Sequence, residues 1–216
     1  MIFRRRSKPT DEQIGSDAVE AAGREHSGRS RGPWDRGETS TDEGDPNYVD
    51  LGGLVVRGRE GLELRLQVDE QTQTVASVLL AGPQSGLELR AFAAPRHDGL
   101  WDDVRADIAA EATKRGGTAT EVDGEWGTEL KLVVPVQTPD GRKASQASRI
   151  VGIEGPRWLL RATFLGDAGL NPSDEGLLMD ALKDVIVVRG EDPRIPREPL
   201  MLVLPANAVV APDEVD

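Results

Sequence analysis

The chain has no cysteine, only two histidines and 4% aromatic residues. Without cysteine there is no disulfide, no thiolate nucleophile and no thiolate metal site. One histidine, His97, lies in the patterned middle of the chain, which leaves little material for an imidazole base or a histidine-rich metal centre. No Gly-rich phosphate loop and no nucleophile beside a base can be found. No run of about 18 apolar residues occurs, so nothing reads as a membrane span. The opening MIFRRRSK is followed by DEQIGSDAVEAAG and not by an apolar stretch, so no secretory signal is read. These absences point to a soluble, cytoplasmic protein that is not an enzyme and carries no cofactor or metal.

What is present is acid. The 216 residues are 38% hydrophobic and 30% charged, with a formal charge of −12. As a whole such a chain repels nucleic acid and anionic lipid. Residues 1–47 are polar and unpatterned, which predicts a disordered arm. Residues 48–190 carry regular apolar patterns and read as one domain. Residues 191–216 form an acidic tail with a short docking segment near 200–204.

Leu62, Leu64, Leu66 and Val68 alternate with Glu63, Arg65 and Gln67, the period of a half-buried strand. Val75–Ala81 and Leu87–Ala93 follow as strands, separated by the turn Gly82-Pro83-Gln84-Ser85-Gly86. Trp101, Val104, Ile108 and Ala112 then recur at helical spacing, with Asp98 as a candidate N-cap and Gly116-Gly117 as the stop. Thr118–Val122, Leu130–Val136, Ala144–Ile153 and Trp158–Leu165 read as four more strands. Turns are expected at Asp123-Gly124, Pro139-Asp140-Gly141 and Gly155-Pro156, and the polar third strand is expected near an edge or on an exposed part of the sheet. Asn171-Pro172 is expected to open a second helix burying Leu177, Leu178, Ala181 and Leu182. The β-branched run Val185–Val188 favours a last short strand. This order predicts an α+β fold: a largely antiparallel, curved sheet of about seven strands with two packed helices. The element order resembles the Mog1/PsbP-like arrangement.

A closer likeness is carried by many segments in order: GPWD at 32, VDLGGL at 49, ELRLQVDE at 63, ELRAFAAPR at 88 and LWDDVRADIA at 100. GTELKLVVPV, TPDGR, GPRWLLRATF and DVIVVRGEDP follow. Together they resemble the actinobacterial family known as domain of unknown function 3710, over roughly residues 32 to 205. The resemblance implies a cytoplasmic actinobacterial protein, typically encoded near deoxyuridine triphosphatase and small nucleic-acid-binding-fold proteins. It implies no activity and supplies no catalytic residues.

Candidate sites rest on chemistry. Arg96, His97 and Asp98 form a loop before a helix N-terminus, where an anion could bind. The plain alternative is a strand end, an exposed histidine and a helix cap. Trp34 is isolated in polar sequence and so must dock, on its own domain or on a partner. Trp126, at a strand entrance, is a second candidate interaction residue. Arg4, Arg5, Arg6 and Lys8 form a basic start, either simply solvated or a weak electrostatic tether. Arg65, Arg90, Arg149 and Arg161 are the candidates for an arginine-lined sheet edge.

The function expected is a non-enzymatic protein-interaction module. The alternatives are a nucleic-acid-associated accessory protein and a small-molecule binder or enzyme using the 96–98 loop. The basic start separates the first two. Nucleic-acid binding through Arg4–Arg6 and Lys8 would weaken steeply with salt, because each phosphate contact releases counterions. Deleting residues 1–8 should then flatten the salt dependence in a filter-binding assay. Association with a protein partner should survive that deletion; its loss would transfer the site to the arm.

Overall fold

The computed structural model describes residues 30–39, 45–69, 74–97, 99–138, 140–173 and 175–205. Seven strands form one antiparallel sheet: β4 (Glu63–Asp69), β5 (Thr74–Ala81), β6 (Ser85–Ala93), β7 (Thr118–Gly124), β8 (Gly127–Gln137), β9 (Lys143–Gly155) and β10 (Trp158–Gly166). Their spatial order is β4-β5-β6-β10-β9-β8-β7. Helix α1 (Leu100–Lys114) joins the two halves, and α2 (Asp167–Leu170) and α3 (Leu177–Lys183) follow β10. The expected α+β sheet of seven strands is therefore what folds.

A second, smaller sheet accompanies it, in the order β1-β11-β3-β2. It combines β1 (Trp34–Asp35), β2 (Tyr48–Asp50), β3 (Leu54–Arg57) and β11 (Ile186–Val187). β1 runs parallel to β11, pairing Trp34 with Ile186. The expected arm of residues 1–47 thus ends too late, because Trp34 and Asp35 already belong to the folded body. The last strand at 185–188 forms as expected, with Ile186 and Val187 as its residues.

Strand polarity decides which side each face meets. On β10, Trp158, Leu160, Ala162 and Phe164 enter one core with Leu87, Leu89, Val151 and Ile153. The small sheet and α3 supply Leu54, Val56, Val187, Met179 and Leu182 to the same core. Leu159, pointing the other way, joins Trp101, Ala112, Leu130, Leu132 and Ile150 beneath α1. Val104 and Ile108 pack partly buried against that second cluster, so the helical stripe faces the sheet as its spacing predicted. Trp101 lies flat on β9 because Gly152 is beneath it: a Cβ there would sit 2.0 Å from the indole Cδ2. Its Nε1 donates to the Thr128 carbonyl at 2.7 Å.

Several local expectations need correction. The β7–β8 turn is Glu125–Trp126, since Gly124 pairs with Gly127 across the hairpin. Gly124 is a glycine for clearance, as a Cβ would meet the Glu129 carboxylate at 1.9 Å. β9 is central in the sheet and not an edge, but its polar half, residues 143–147, is exposed or half-buried, which is the other placement expected for it. Its polar half extends past β10 and pairs only with β8, whereas Ser148–Gly155 also pairs with β10. Asn171 closes the short α2 in place of opening a long helix, and in α3 Met179 is buried while Leu177 is 41% exposed.

The docking segment of the tail is longer than expected. β5 and β6 pair only over Val78–Ala81 and Gly86–Leu89, then part. Residues 197–203 enter that fork. Arg197 and Leu200 donate their N–H groups to Ala93 and Ala91, and Leu202 bridges to both Val75 and Gly52. Leu200 and Leu202 are buried there.

Arg149, expected on an arginine-lined edge, is instead interior. Register places it opposite Phe164, on the main-core face, where its guanidinium grips Glu129 through two bonds of 2.6 and 3.0 Å. The side chains are 3% and 2% exposed. Nη1 also donates to the Ser173 carbonyl at 2.9 Å, tying β8 and β9 to the α2–α3 link. Among the described residues no helix is long and apolar enough to cross a membrane.

Arg149→Ala strands a buried carboxylate and should cost about 3–5 kcal/mol in urea unfolding. The double change Glu129→Leu with Arg149→Met should cost much less than either single truncation. Additive losses would mean that the two groups are not coupled.

Candidate functional site

The outer face of the large sheet is half covered. α1 packs against β7, β8 and β9; among the described residues no helix packs to that extent on β4 or β5, and the short α2 touches β6. Strand alternation puts Glu63, Arg65 and Gln67 of β4 on this uncovered half, beside Leu79 of β5. Glu88, Arg90 and Phe92 of β6 continue the surface, and Arg161 and Thr163 of β10 complete it next to them. Three of the four arginines that the sequence grouped are thus on one face. Arg149 is not.

Their pairing differs. Arg65 bonds Glu63 at 2.7 Å, and Arg90 bonds Glu88 through Nε. Arg161 has neither. Its cross-strand neighbours are Arg90 on β6 and Gly152 on β9, and Gly152 is occupied by the Trp101 ring. Its guanidinium lies 5.7 Å from the Phe92 centroid, and its Nε is buried without an acceptor. Burial holds Arg161 below the usual arginine range; the Arg90 cation acts in the same direction and Glu88 partly opposes it. Arginine stays charged nonetheless. The arrangement is a cation partly stripped of water over an aromatic ring, with its Nε unpaired among the described residues. Such a group can bind a carboxylate or phosphate through a planar fork.

The remaining candidates are elsewhere. Trp34 is half-buried and docks on its own domain: its N–H donates to Val185 at 2.8 Å, and the neighbouring Asp35 accepts from Trp158 Nε1 at 2.8 Å. Trp126 is half-buried against the main core. Arg96 and His97 are exposed in the loop before α1, and Asp98 lies outside the described residues. The helix end that an anion would need there is filled. The Glu154 carboxylate accepts from the N–H of Gly99 at 3.1 Å and of Trp101 at 3.2 Å, so a strand residue caps the start of α1. Arg4, Arg5, Arg6 and Lys8 lie outside the described residues.

A cleft of about 370 Å³ opens at the far end of the sheet, between the β5–β6 turn and α2 and α3. Phe164 and Met179 contribute to its lining, Asp167 and Glu175 are among its polar residues, and no Lys or Arg lines it. Among the described residues no three His, Asp or Glu side chains converge as a metal site would require.

Fold and site together define an α+β sheet domain with one open, arginine-bearing face. The chain belongs to the family described as protein of unknown function (DUF3710), whose family model matches residues 32–211. That span runs from just before β1 to beyond the inserted tail segment. No curated protein matches the chain.

If Glu154 is the cap of α1, Glu154→Ala should lower stability by about 1–2 kcal/mol in thermal or urea melts. Arg96→Ala and His97→Ala should each stay within about 0.5 kcal/mol, as exposed loop changes do. Equal losses at all three positions would contradict the capping role.

Proposed function

We propose that this domain is a non-catalytic cytoplasmic interaction module that docks an acidic segment of a protein partner on the open half of its large sheet. The observation that carries the reading is Arg161: a partly desolvated guanidinium on Phe92, with no carboxylate bonded to it among the described residues. Arginine and aromatic side chains in partly desolvated positions supply much of the energy of protein interfaces. One carboxylate from a partner would satisfy the fork.

Charge favours a protein over a nucleic acid. Glu63 and Glu88 share the face with the arginines, and Asp102, Asp103 and Asp107 lie along α1. A continuous polyanion meets these acids as well as the overall charge of −12. A short acidic segment can sit at Arg161 and Arg90 without reaching the acids of α1. Nucleic-acid binding is the second reading, because Arg65, Arg90, Arg161 and Phe92 also form a basic surface with an aromatic ring.

The test uses tagged full-length chain in nuclease-treated extract of its native host, beside the Arg161→Glu and Arg161→Lys variants. A specific protein should be retained by the unmodified chain. Arg161→Glu should weaken retention by about thirtyfold or more, the scale of an interface hot spot. Arg161→Lys should fall between, and circular dichroism should confirm that both variants fold. Retention unaffected by Arg161→Glu, or lost on nuclease treatment, would overturn the reading.

A further inference from the structure

A second arginine cluster, separate from Arg161, is built from three chain segments. Arg189, just past β11, is 8% exposed. Its Nε donates to the Arg157 carbonyl at 3.1 Å, and its Nη1 to the carbonyls of Asp192 at 3.0 Å and Gly190 at 3.4 Å. None of these acceptors is a carboxylate. Arg157, in the β9–β10 turn with φ 62°, donates through Nη2 to Gly190 at 3.3 Å and makes no ion pair among the described residues. Arg194 gives Nη1 to Glu198 at 3.0 Å, while its Nε is buried without an acceptor.

Burial pushes Arg189 below the usual arginine range, and the Arg157 and Arg194 cations add to the push. The Glu198 and Asp192 carboxylates oppose it only in part. Carbonyl bonds thus orient two guanidiniums, Arg157 and Arg189, that carry no bonded acid among the described residues, with a third beside them. Buried charge held only by carbonyl dipoles is unusual, because such groups are ordinarily paired.

We propose that Arg157, Arg189 and Arg194 form an oxyanion site for a phosphate dianion, either free or as the terminal group of a mononucleotide. Two cations without a bonded acid match a dianion better than a single carboxylate. The carbonyl bonds fix the guanidiniums and leave Nη2 of Arg189 and Nε and Nη1 of Arg157 to donate to its oxygens. The site does not depend on the Arg161 reading.

The test is a titration of the full chain, followed by side-chain NMR and thermal unfolding, with inorganic phosphate, sulfate, chloride and a nucleoside 5′-monophosphate at matched ionic strength. Phosphate should give saturable shifts at the three arginines and raise the melting temperature, and chloride should do neither. Arg157→Asn, which tolerates the left-handed turn, and Arg194→Ala should each weaken phosphate binding at least tenfold while leaving the fold intact. Arg161→Glu should bind phosphate as the unmodified chain does. Tighter binding of the mononucleotide would assign the phosphate to a nucleotide, and equal or weaker binding would assign it to the free ion. Equal responses to phosphate and chloride, or binding unchanged in both cluster variants, would overturn the proposal.

Discussion

Covering a wide sheet with few elements is the constraint on which the rest of this structure depends. Seven strands about 4.8 Å apart span roughly 30 Å, whereas one helix is only about 10 Å across. The inner face is closed by the small sheet, α3 and the inserted tail segment, all delivering apolar side chains. The outer face receives a single long helix. Gly152 seats Trp101, Glu154 fixes where the helix starts, and β7–β9 are covered. Among the described residues no helix covers the outer side of β4–β6 and part of β10 as α1 covers β7–β9, and the side chains there suit an open surface. That accounts for the glutamates and arginines on alternate positions of β4 and β6. It does not account for Arg161, whose charge has no bonded acid.

Two interior devices keep the layers in register. The Glu129–Arg149 pair holds adjacent strands to the α2–α3 link at a place where neither charge meets water. The segment 197–203 fills the fork where β5 leaves β6, supplying backbone partners to Ala91 and Ala93 and burying Leu200 and Leu202. The tail is therefore structural up to that point. The family match, continuing to residue 211, includes it.

The long elements were legible in the sequence because periodicity needs length. β4, β6, β8 and α1 each carry four or more apolar residues at one spacing, and all four form where that spacing predicts. β1, β2 and β3 hold two to four residues apiece and have no period to read. Asp123-Gly124 carries turn chemistry, yet Gly124 serves the Glu129 side chain from within a strand. The open face was half legible. Arg65, Arg90 and Arg161 are visible as arginines on strands, but the side that Arg149 takes depends on the pairing of β9 with β10. The Arg157–Arg189–Arg194 cluster was missed altogether, since its members come from three segments that only the fold brings together. The capping of α1 by Glu154, fifty-five residues from Gly99, has the same cause.

The proposed function places a partner on the uncovered half of the large sheet. Hydroxyl-radical footprinting of the full chain, free and in complex with the protein it retains from its native host, tests this most directly. Phe92 and Leu79 are the reactive reporters on that surface, and Trp126 and Met179 report on the packed face. The account predicts that Phe92 and Leu79 lose reactivity in the complex while Trp126 and Met179 keep theirs. Unchanged labelling at Phe92 and Leu79 in a complex that still forms would contradict it.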